Sequence, residues 1–512
     1  MFDTRLAVKR LLIQSHRWLG IVLGLVIVVW FASGIAMIYV GGMPQLTPQA
    51  RLDHLPVLDV SRVRLTPAHA AARRGAADAG PGTPRLLMIQ GRPAYRFPFG
   101  GNATVFADDG SLPAPLDEAA ATQVAQQFLG RPAPLLRLLK RVDTPDQWTL
   151  SLRGAFPLLK YAVGDAKGTQ VYVSVKSAEV VLATTRADRA RAWIATIPHW
   201  LYFSALRQNQ PLWYRIVVAL SALACVMAAL GLVLAFTQWR RTRPLDLKRS
   251  IPYRGGMRWH YISGALFGVF ALTWAFSGLL SMEPFAWTNV PELAVDRDAL
   301  TGGAPELARY ENIDATALPA LAAPLFIKEV GYARIHGEYY LRLHTSSQAD
   351  AQALPRERLH AAYGVGGAPD GEILVEAATL ARRNQAFDSE AILKRLRAAL
   401  PGVPVIAHEL LHEYDDYYYS RSDQLALPVL RLKLGDALRT WLYVDPRTSE
   451  LVANVHRYSR VERWLYSGLH SLDFRFWYAK RPLWDLAMLT LLLGGLVGSS
   501  LGLYYGITRL AR

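Results

Sequence analysis

A chain of 512 residues that is 52% hydrophobic and only 19% charged is too apolar for a soluble protein of that size and points to several membrane spans. Its net charge of +16 does not describe a nucleic-acid surface. The basic residues gather at Arg5, Lys9, Arg10 and Arg17, at Arg240, Arg241, Arg243, Lys248, Arg249, Arg254 and Arg258, and at Arg509 and Arg512, always bordering a long apolar run, as cytoplasmic loops and tails do.

Taken in chain order, residues 1–40 read as a short basic N-terminus and a first span. The apolar run from Trp18 to Val40 is too long for the core of a signal peptide, and Gly41-Gly42-Met43-Pro44 lacks a small-x-small cleavage pattern, so the helix is expected to stay uncleaved. Residues 41–210 read as an α+β domain. A helix is followed by the strands PRLLMIQ, PAYRFPF and ATVFADDG and by a helix EAAATQVAQQFL, with turn signals at Gly91-Arg92-Pro93 and Asp108-Asp109-Gly110. Residues 211–238 form a second span containing the single cysteine, Cys225, which rules out a disulfide framework, covalent haem attachment through CxxCH and iron–sulfur ligation.

A basic loop covers 239–258 and a third span 259–282. A second α+β domain covers 283–482, and a fourth span with the C-terminus 483–512. Period-two alternation at Val171-Tyr172-Val173-Ser174-Val175 and at Trp441-Leu442-Tyr443-Val444-Asp445 marks antiparallel strands in both domains. The apolar runs at about 16–40, 212–238, 259–282 and 483–508 each supply the roughly 20 residues that a bilayer requires. With the basic flanks inside, both termini are expected in the cytoplasm. The two large domains are then extracytoplasmic, in the periplasm of a bacterium with two membranes.

The two halves repeat one another. Shifted by 271, residues 156–213 align without a gap on 427–484: Pro157 meets Pro428, Gly164-Asp165 meets Gly435-Asp436, Trp193 meets Trp464, and Pro211-Leu212-Trp213 meets Pro482-Leu483-Trp484. Shifted by 244, His16, Gly20, Gly24, Trp30, Ser33 and Gly34 meet His260, Gly264, Gly268, Trp274, Ser277 and Gly278. Each half starts and ends on the same side, so the repeats are parallel and their axis is expected along the membrane normal.

Of the twelve histidines, four fall on the repeat: His16 matches His260, and His199 matches His470. Symmetry predicts one pair at each of two depths, about 36 Å apart if some 24 helical residues separate them. Two facing imidazoles in a four-helix membrane bundle suit a planar metal macrocycle, each nitrogen taking one axial position of the iron. Other metals want three or four protein ligands, and no acid or thiol accompanies these histidines in the spans. The expected cofactors are two non-covalent b-type haems, and the glycines of the helices would clear space for them.

His16-Arg17-Trp18-Leu19-Gly20 with Ser33-Gly34, the run Asp416-Tyr417-Tyr418-Tyr419, Trp464-Leu465-Tyr466-Ser467-Gly468-Leu469-His470-Ser471-Leu472-Asp473-Phe474, and Pro482-Leu483-Trp484 resemble the PepSY-associated transmembrane family. Its members are often called iron-regulated membrane proteins and include inner-membrane ferric-siderophore reductases. The resemblance covers nearly the whole chain. It implies a membrane α-helical fold of four transmembrane helices, a duplicated two-helix unit, with PepSY-like α+β extracytoplasmic domains. It also implies haem held by His16, His260, His199 and His470, and delivery of electrons from a cytoplasmic or membrane donor to a ferric siderophore or other iron chelate. One departure stands out: Trp200-Leu201-Tyr202-Phe203 follows His199 where Ser471-Leu472-Asp473-Phe474 follows His470, so the two sides of that level differ chemically.

Three other signals compete. His408-Glu409-Leu410-Leu411-His412 matches the HExxH zinc-peptidase pattern, which needs a helix and a third ligand, yet Val403 and Val405 suggest a strand just before it. Tyr417, Tyr418, Tyr419 and Arg421 offer a candidate docking surface for an iron chelate, although alternate tyrosines in a sheet core explain the same run. Gly364-Val365-Gly366-Gly367 lacks the strand–helix context of a nucleotide loop. The alternative from another class is a non-enzymatic membrane protein whose PepSY-like domains bind or regulate peptidases, or assist siderophore uptake.

Overall fold

The computed structural model describes residues 2–74, 82–98, 103–130, 136–240, 242, 246–291, 293–311, 316–346, 371–419 and 425–511. Arg241, Arg243, Arg512, the run Gly364-Val365-Gly366-Gly367 and Arg421 lie outside the described residues. The chain divides into two compact units. One comprises Met1–Met43, Ala190–Pro291 and Arg457–Arg512, the other Pro44–Arg189 and Glu292–His456.

The first unit is built on four helices, Phe2–Met37, Gln210–Gln238, Gly255–Leu280 and Leu483–Leu510, all long and apolar enough to cross a membrane. A helix satisfies every backbone donor and acceptor internally, which is what an apolar solvent demands of a spanning segment. The first helix runs on through the basic N-terminal segment instead of starting near residue 16, because no Pro or Gly interrupts it there. The second is started by Asn209, whose side-chain oxygen accepts from Leu212 N at 3.2 Å, with Pro211 in the first turn.

The spans form a ring in which the first and the third each pack against both the second and the fourth. Glycines let them approach. A Cβ at Gly24 would meet Leu503 at 3.1 Å, and one at Gly268 would meet Leu232 at 3.0 Å. First and third spans, which are repeat counterparts, therefore face one another across the ring.

The second unit is α+β and holds fifteen strands among its described residues, in three sheets. They are β1 (Arg85–Ile89), β2 (Arg92–Arg96), β3 (Thr104–Phe106), β4 (Arg137–Val142), β5 (Leu158–Ala162), β6 (Gln170–Ser174), β7 (Glu179–Thr184), β8 (Phe326–Ile335), β9 (Glu338–Ser346), β10 (Glu372–Glu376), β11 (Arg382–Arg383), β12 (Val405–Leu411), β13 (Val429–Leu434), β14 (Trp441–Asp445) and β15 (Glu450–Val455). Two four-stranded antiparallel meanders, β4-β5-β6-β7 and β12-β13-β14-β15, are repeat copies. Helix Glu118–Leu129, capped by Asp117, buries Ala121, Val124, Ala125 and Phe128 against the first. Helix Ser389–Ala399, capped by Asp388, buries Ile392, Leu393 and Leu396 against the second.

The third sheet has the order β11-β10-β9-β8-β1-β2-β3 and joins the segments 41–210 and 283–482 through backbone pairing of β1 with β8. Both hairpins beside that seam turn on residues with positive φ, Gln90-Gly91 at 51° and 73° and His336-Gly337 at 55° and 96°, the twist that a two-residue hairpin favours. β1 and β8 are thus equivalent strands of the two halves, laid antiparallel. A buried ion network crosses the seam. Glu329 on β8 accepts from Arg51 at 3.0 Å and from Arg85 on β1 at 3.4 Å, while Arg51 also reaches Glu179 on β7 at 2.7 Å.

Candidate functional site

The four repeated histidines all lie in the unit of four spans, and two local devices place them. His16 and His260 are carried directly by the first and third spans. His199 and His470 sit on short helical turns, Thr196–His199 and Leu469–Ser471, that precede the second and fourth spans. Each turn ends in a residue with positive φ, Leu201 at 49° and Leu472 at 47°, which reverses the chain. The indole of the following span then clamps the reversal: Trp213 Nε1 donates to Trp200 O at 3.0 Å, and Trp484 Nε1 donates to Leu472 O at 3.2 Å. That clamp is what the two Pro-Leu-Trp motifs provide. On the first side Thr196 also donates to Gly41 O at 3.0 Å, holding the turn to the end of the first span.

The result is two facing pairs. The rings of His16 and His260 have centroids 6.3 Å apart, and those of His199 and His470 are 6.1 Å apart. The levels are closer together than a count of helical residues between His16 and His199 suggests. The His199 turn folds back beside Ser33 and Gly34, about 17 residues or roughly 26 Å along the first span from His16, not roughly 36 Å.

Every one of the four rings is held through Nδ1. His16 Nδ1 donates to Met227 O at 3.1 Å, and His260 Nδ1 donates to Gly498 O at 2.8 Å. A carbonyl only accepts, so the proton is on Nδ1 and the lone pair is left on Nε2. At the other level Nδ1 of His199 lies 3.1 Å from Ser33 Oγ, and Nδ1 of His470 lies 3.0 Å from Ser277 Oγ. The serine protons are already spent on helix carbonyls, Ser33 on Val29 O at 2.6 Å and Ser277 on Trp274 O at 3.1 Å. The hydroxyl oxygens therefore accept from Nδ1, and Nε2 is again the free base.

Two imidazoles sharing one metal through Nε2 stand about 2.0–2.1 Å from it, which puts their ring centres roughly 6.3–6.5 Å apart when they are opposite one another. His16 and His260, at 6.3 Å, have that separation, and His199 and His470, at 6.1 Å, come within a few tenths of an ångström of it. Among the described residues no cluster of three or more His, Cys, Asp or Glu side chains could hold a metal ion. A two-imidazole donor set fits a metal that brings its remaining ligands with it, as the iron of a porphyrin does. Around the rings the backbone is pared to glycine. A Cβ on Gly231 would stand 2.9 Å from His16 Cε1, one on Gly502 3.0 Å from His260 Cε1, and one on Gly34 3.5 Å from His199 Cε1. At Gly20 and Gly264, one helical turn after His16 and His260, a Cβ would meet nothing within 4 Å.

A family model described as the PepSY-associated TM region matches residues 13–368. The chain belongs to that family. No curated protein matches it significantly. The PepSY-associated TM match takes in His16, His199 and His260, and His470 is tied to it by the internal repeat.

The two sides of the second level differ as their sequences do. Tyr466 stacks on His470 with centroids 5.2 Å apart and planes at 25°, while Ala195 occupies the matching place beside His199. Asp473, with a side chain 7% exposed, lies 3.7 Å from Arg463, whose guanidinium also donates to Asp473 O at 2.8 Å. Their counterparts in the first half are Tyr202 and Ala192.

The remaining candidates separate from this site. His408 lies on β12 and His412 just past its end. Four residues of strand span about 13 Å, so these two histidines cannot meet on one ion as they would across one turn of a helix. Of the tyrosine run, Tyr418 is a core residue and not a docking surface. It is 1% exposed, stacks on Tyr443 at 5.0 Å and donates to Ala426 O at 2.9 Å. Tyr417 packs edge-on against Trp441 at 5.2 Å, and Tyr419 is half-buried. Asp415 caps the turn by accepting from the backbone N–H groups of Tyr417 and Tyr418, which forces that packing. Ser33 and Ser277 are the residues with a role at the site that sequence reasoning left without one. Their place in the repeat, seventeen residues after His16 and His260, was the available signal.

Proposed function

We propose that this chain is a haem-dependent transmembrane reductase that carries electrons across a bacterial inner membrane to a ferric siderophore or another iron chelate on the outer side. The observation that carries the haem reading is the pair of imidazole couples, at 6.3 and 6.1 Å, each with Nδ1 protonated toward a fixed acceptor. His16 and His260 would hold one haem iron at the cytoplasmic level. His199 and His470 would hold the other at the outer level. Each haem would supply a one-electron iron couple in a water-poor site.

The chain's own residues do the rest. Carbonyls and serines fix the imidazole tautomer, which raises ligand basicity and sets ring orientation. The apolar spans exclude water and keep the two levels at a constant separation. No nucleophile or proton-abstracting base is required, because the reaction is electron transfer. Reduction of the iron in a chelate of hard oxygen ligands weakens its hold, since Fe(II) is the softer ion. The choice of substrate rests on the family resemblance, and the orientation on the basic flanks of the spans.

The test is a reduction assay with protein reconstituted in vesicles. A membrane-impermeant ferric chelate is placed on one side and a reductant on the other. Ferrous iron should appear with the wild type and fall to the protein-free rate with His16→Ala or His470→Ala. Equal rates for wild type and variants would defeat the reading.

A further inference from the structure

Ser33 and Ser277 occupy equivalent places on the first and third spans, 2% and 0% exposed, and each touches the Nδ1 of a histidine from another segment. A serine buried in a helix usually spends its hydroxyl on the carbonyl one turn back and does nothing else. Here both do that and also accept an imidazole proton. Ser33 donates to Val29 O at 2.6 Å, Ser277 to Trp274 O at 3.1 Å, and the oxygen lone pairs face His199 and His470. An alanine in either place would leave a buried Nδ1–H without that acceptor.

The His16/His260 level is held by the main chain. Its acceptors are main-chain carbonyls, Met227 O and Gly498 O, which no side-chain substitution removes. The His199 and His470 rings also bond the main-chain carbonyls of Trp30 and Trp274, so the two levels differ in that one of them adds two hydroxyls to its carbonyl support. A hydroxyl polarised by its own donated hydrogen bond is a good acceptor, and a proton pulled toward it makes the imidazole a stronger electron donor.

We propose that Ser33 and Ser277 are positioning residues of the His199/His470 level. They fix the Nδ1–H tautomer of these two histidines and set the donor strength of Nε2, and so the potential of the metal held there, without acting on the other level. This rests on the haem reading above and adds to it two residues and a division of control between the levels.

The test uses the full chain, purified with its haem, as wild type, Ser33→Ala, Ser277→Ala, the double alanine variant, and Ser33→Thr and Ser277→Thr. Threonine keeps the hydroxyl and its bond to the carbonyl one turn back. Three readouts are taken: haem per chain, the two midpoint potentials by spectroelectrochemical titration, and the low-spin signals in electron paramagnetic resonance, which report imidazole orientation.

The alanine variants are expected to raise one midpoint potential and alter one low-spin signal, leaving the other couple at its wild-type value. A tenfold change in the ferric-to-ferrous preference corresponds to about 59 mV for one electron. Loss of one haem alone counts as the same effect carried further. Threonine is expected to restore both readouts. Alanine variants with two wild-type couples would overturn the proposal, as would equal shifts of both couples or loss of both haems that threonine does not repair. A colourless wild type would reject the haem reading itself and this assignment with it, a result distinct from any of these.

Discussion

Gly231 and Gly502, matched by the repeat, stand against the same edge of two different histidines. A methyl group on Gly231 would fall 2.9 Å from Cε1 of His16, and one on Gly502 would fall 3.0 Å from Cε1 of His260. The first contact is shorter than a carbon atom allows and the second is tight enough that the ring must give way, and each imidazole is tethered on its Nδ1 side by a carbonyl, so the ring must turn or the tether must lengthen. Glycine is required here by close approach and not by backbone conformation.

Gly231→Ala and Gly502→Ala are therefore expected to disturb one level of the site and spare the other. In optical spectra of the purified variants, one of the two haem components should broaden, shift or be lost. The component assigned to His199 and His470 should match the wild type. Changes in what holds a ligating imidazole typically weaken metal binding about 10–100-fold. Unchanged spectra in both variants would show that the rings have room that the packing denies.

The ion network at the β1–β8 seam makes a prediction about acid stability. Burial alone would push the Glu329 carboxyl up, but the Arg51 and Arg85 guanidiniums outweigh burial and hold it below the ordinary carboxylate range. A carboxyl with a depressed folded-state value contributes stability that is present above its unfolded value of about 4.3 and is lost as pH falls through the lower folded value. Glu329→Gln is expected to flatten that part of the pH dependence. It should also cost about 1 kcal/mol at neutral pH, because Arg51 keeps Glu179 as a partner and Arg85 is half exposed to solvent. The apparent melting midpoint of the whole chain in detergent, followed from pH 7 to pH 3, checks both. A variant with the wild-type midpoint and slope would remove the network from the account.

Much of this was legible in the sequence because membrane spans and duplications leave long signals. The four apolar runs and the constant offsets of 244 and 271 locate His16, His260, His199 and His470 at two levels with no tertiary information. Period-two alternation likewise finds β6 and β14. What the sequence hides is pairing between distant segments. β1 reads as an ordinary strand, and nothing in it says that its partner, β8, lies more than two hundred residues away. The fold-back of the His199 turn is hidden for a related reason. It depends on Leu201 at positive φ and on the indole of Trp213, a tertiary clamp that no local propensity encodes. The tyrosine run shows the limit of motif reading: Tyr418 stacks in a core because Asp415 caps the turn beside it, whatever the run resembles.

The unlike surroundings of His199 and His470 predict unlike consequences. Asp473→Ala removes the buried carboxylate beside Arg463 and loosens the turn that carries His470, so the component assigned to the His199/His470 level should be weakened or lost on purification. Tyr202→Phe at the matching place leaves the aromatic contact with Trp213 intact and should preserve that component. Haem retention after detergent challenge compares the two. Equal retention would mean that the asymmetry has no bearing on the site.

The central claim is that the two histidine couples hold two haems, and the absorption spectrum of the purified full-length chain tests it most directly. Reduced-minus-oxidised spectra should show b-type Soret and α bands at about two haems per chain. His16→Ala or His260→Ala should abolish one and the same component, and His199→Ala or His470→Ala the other. A colourless protein purified from haem-replete cells would contradict the claim. So would a haem-bearing protein from which a single histidine substitution removes both components at once.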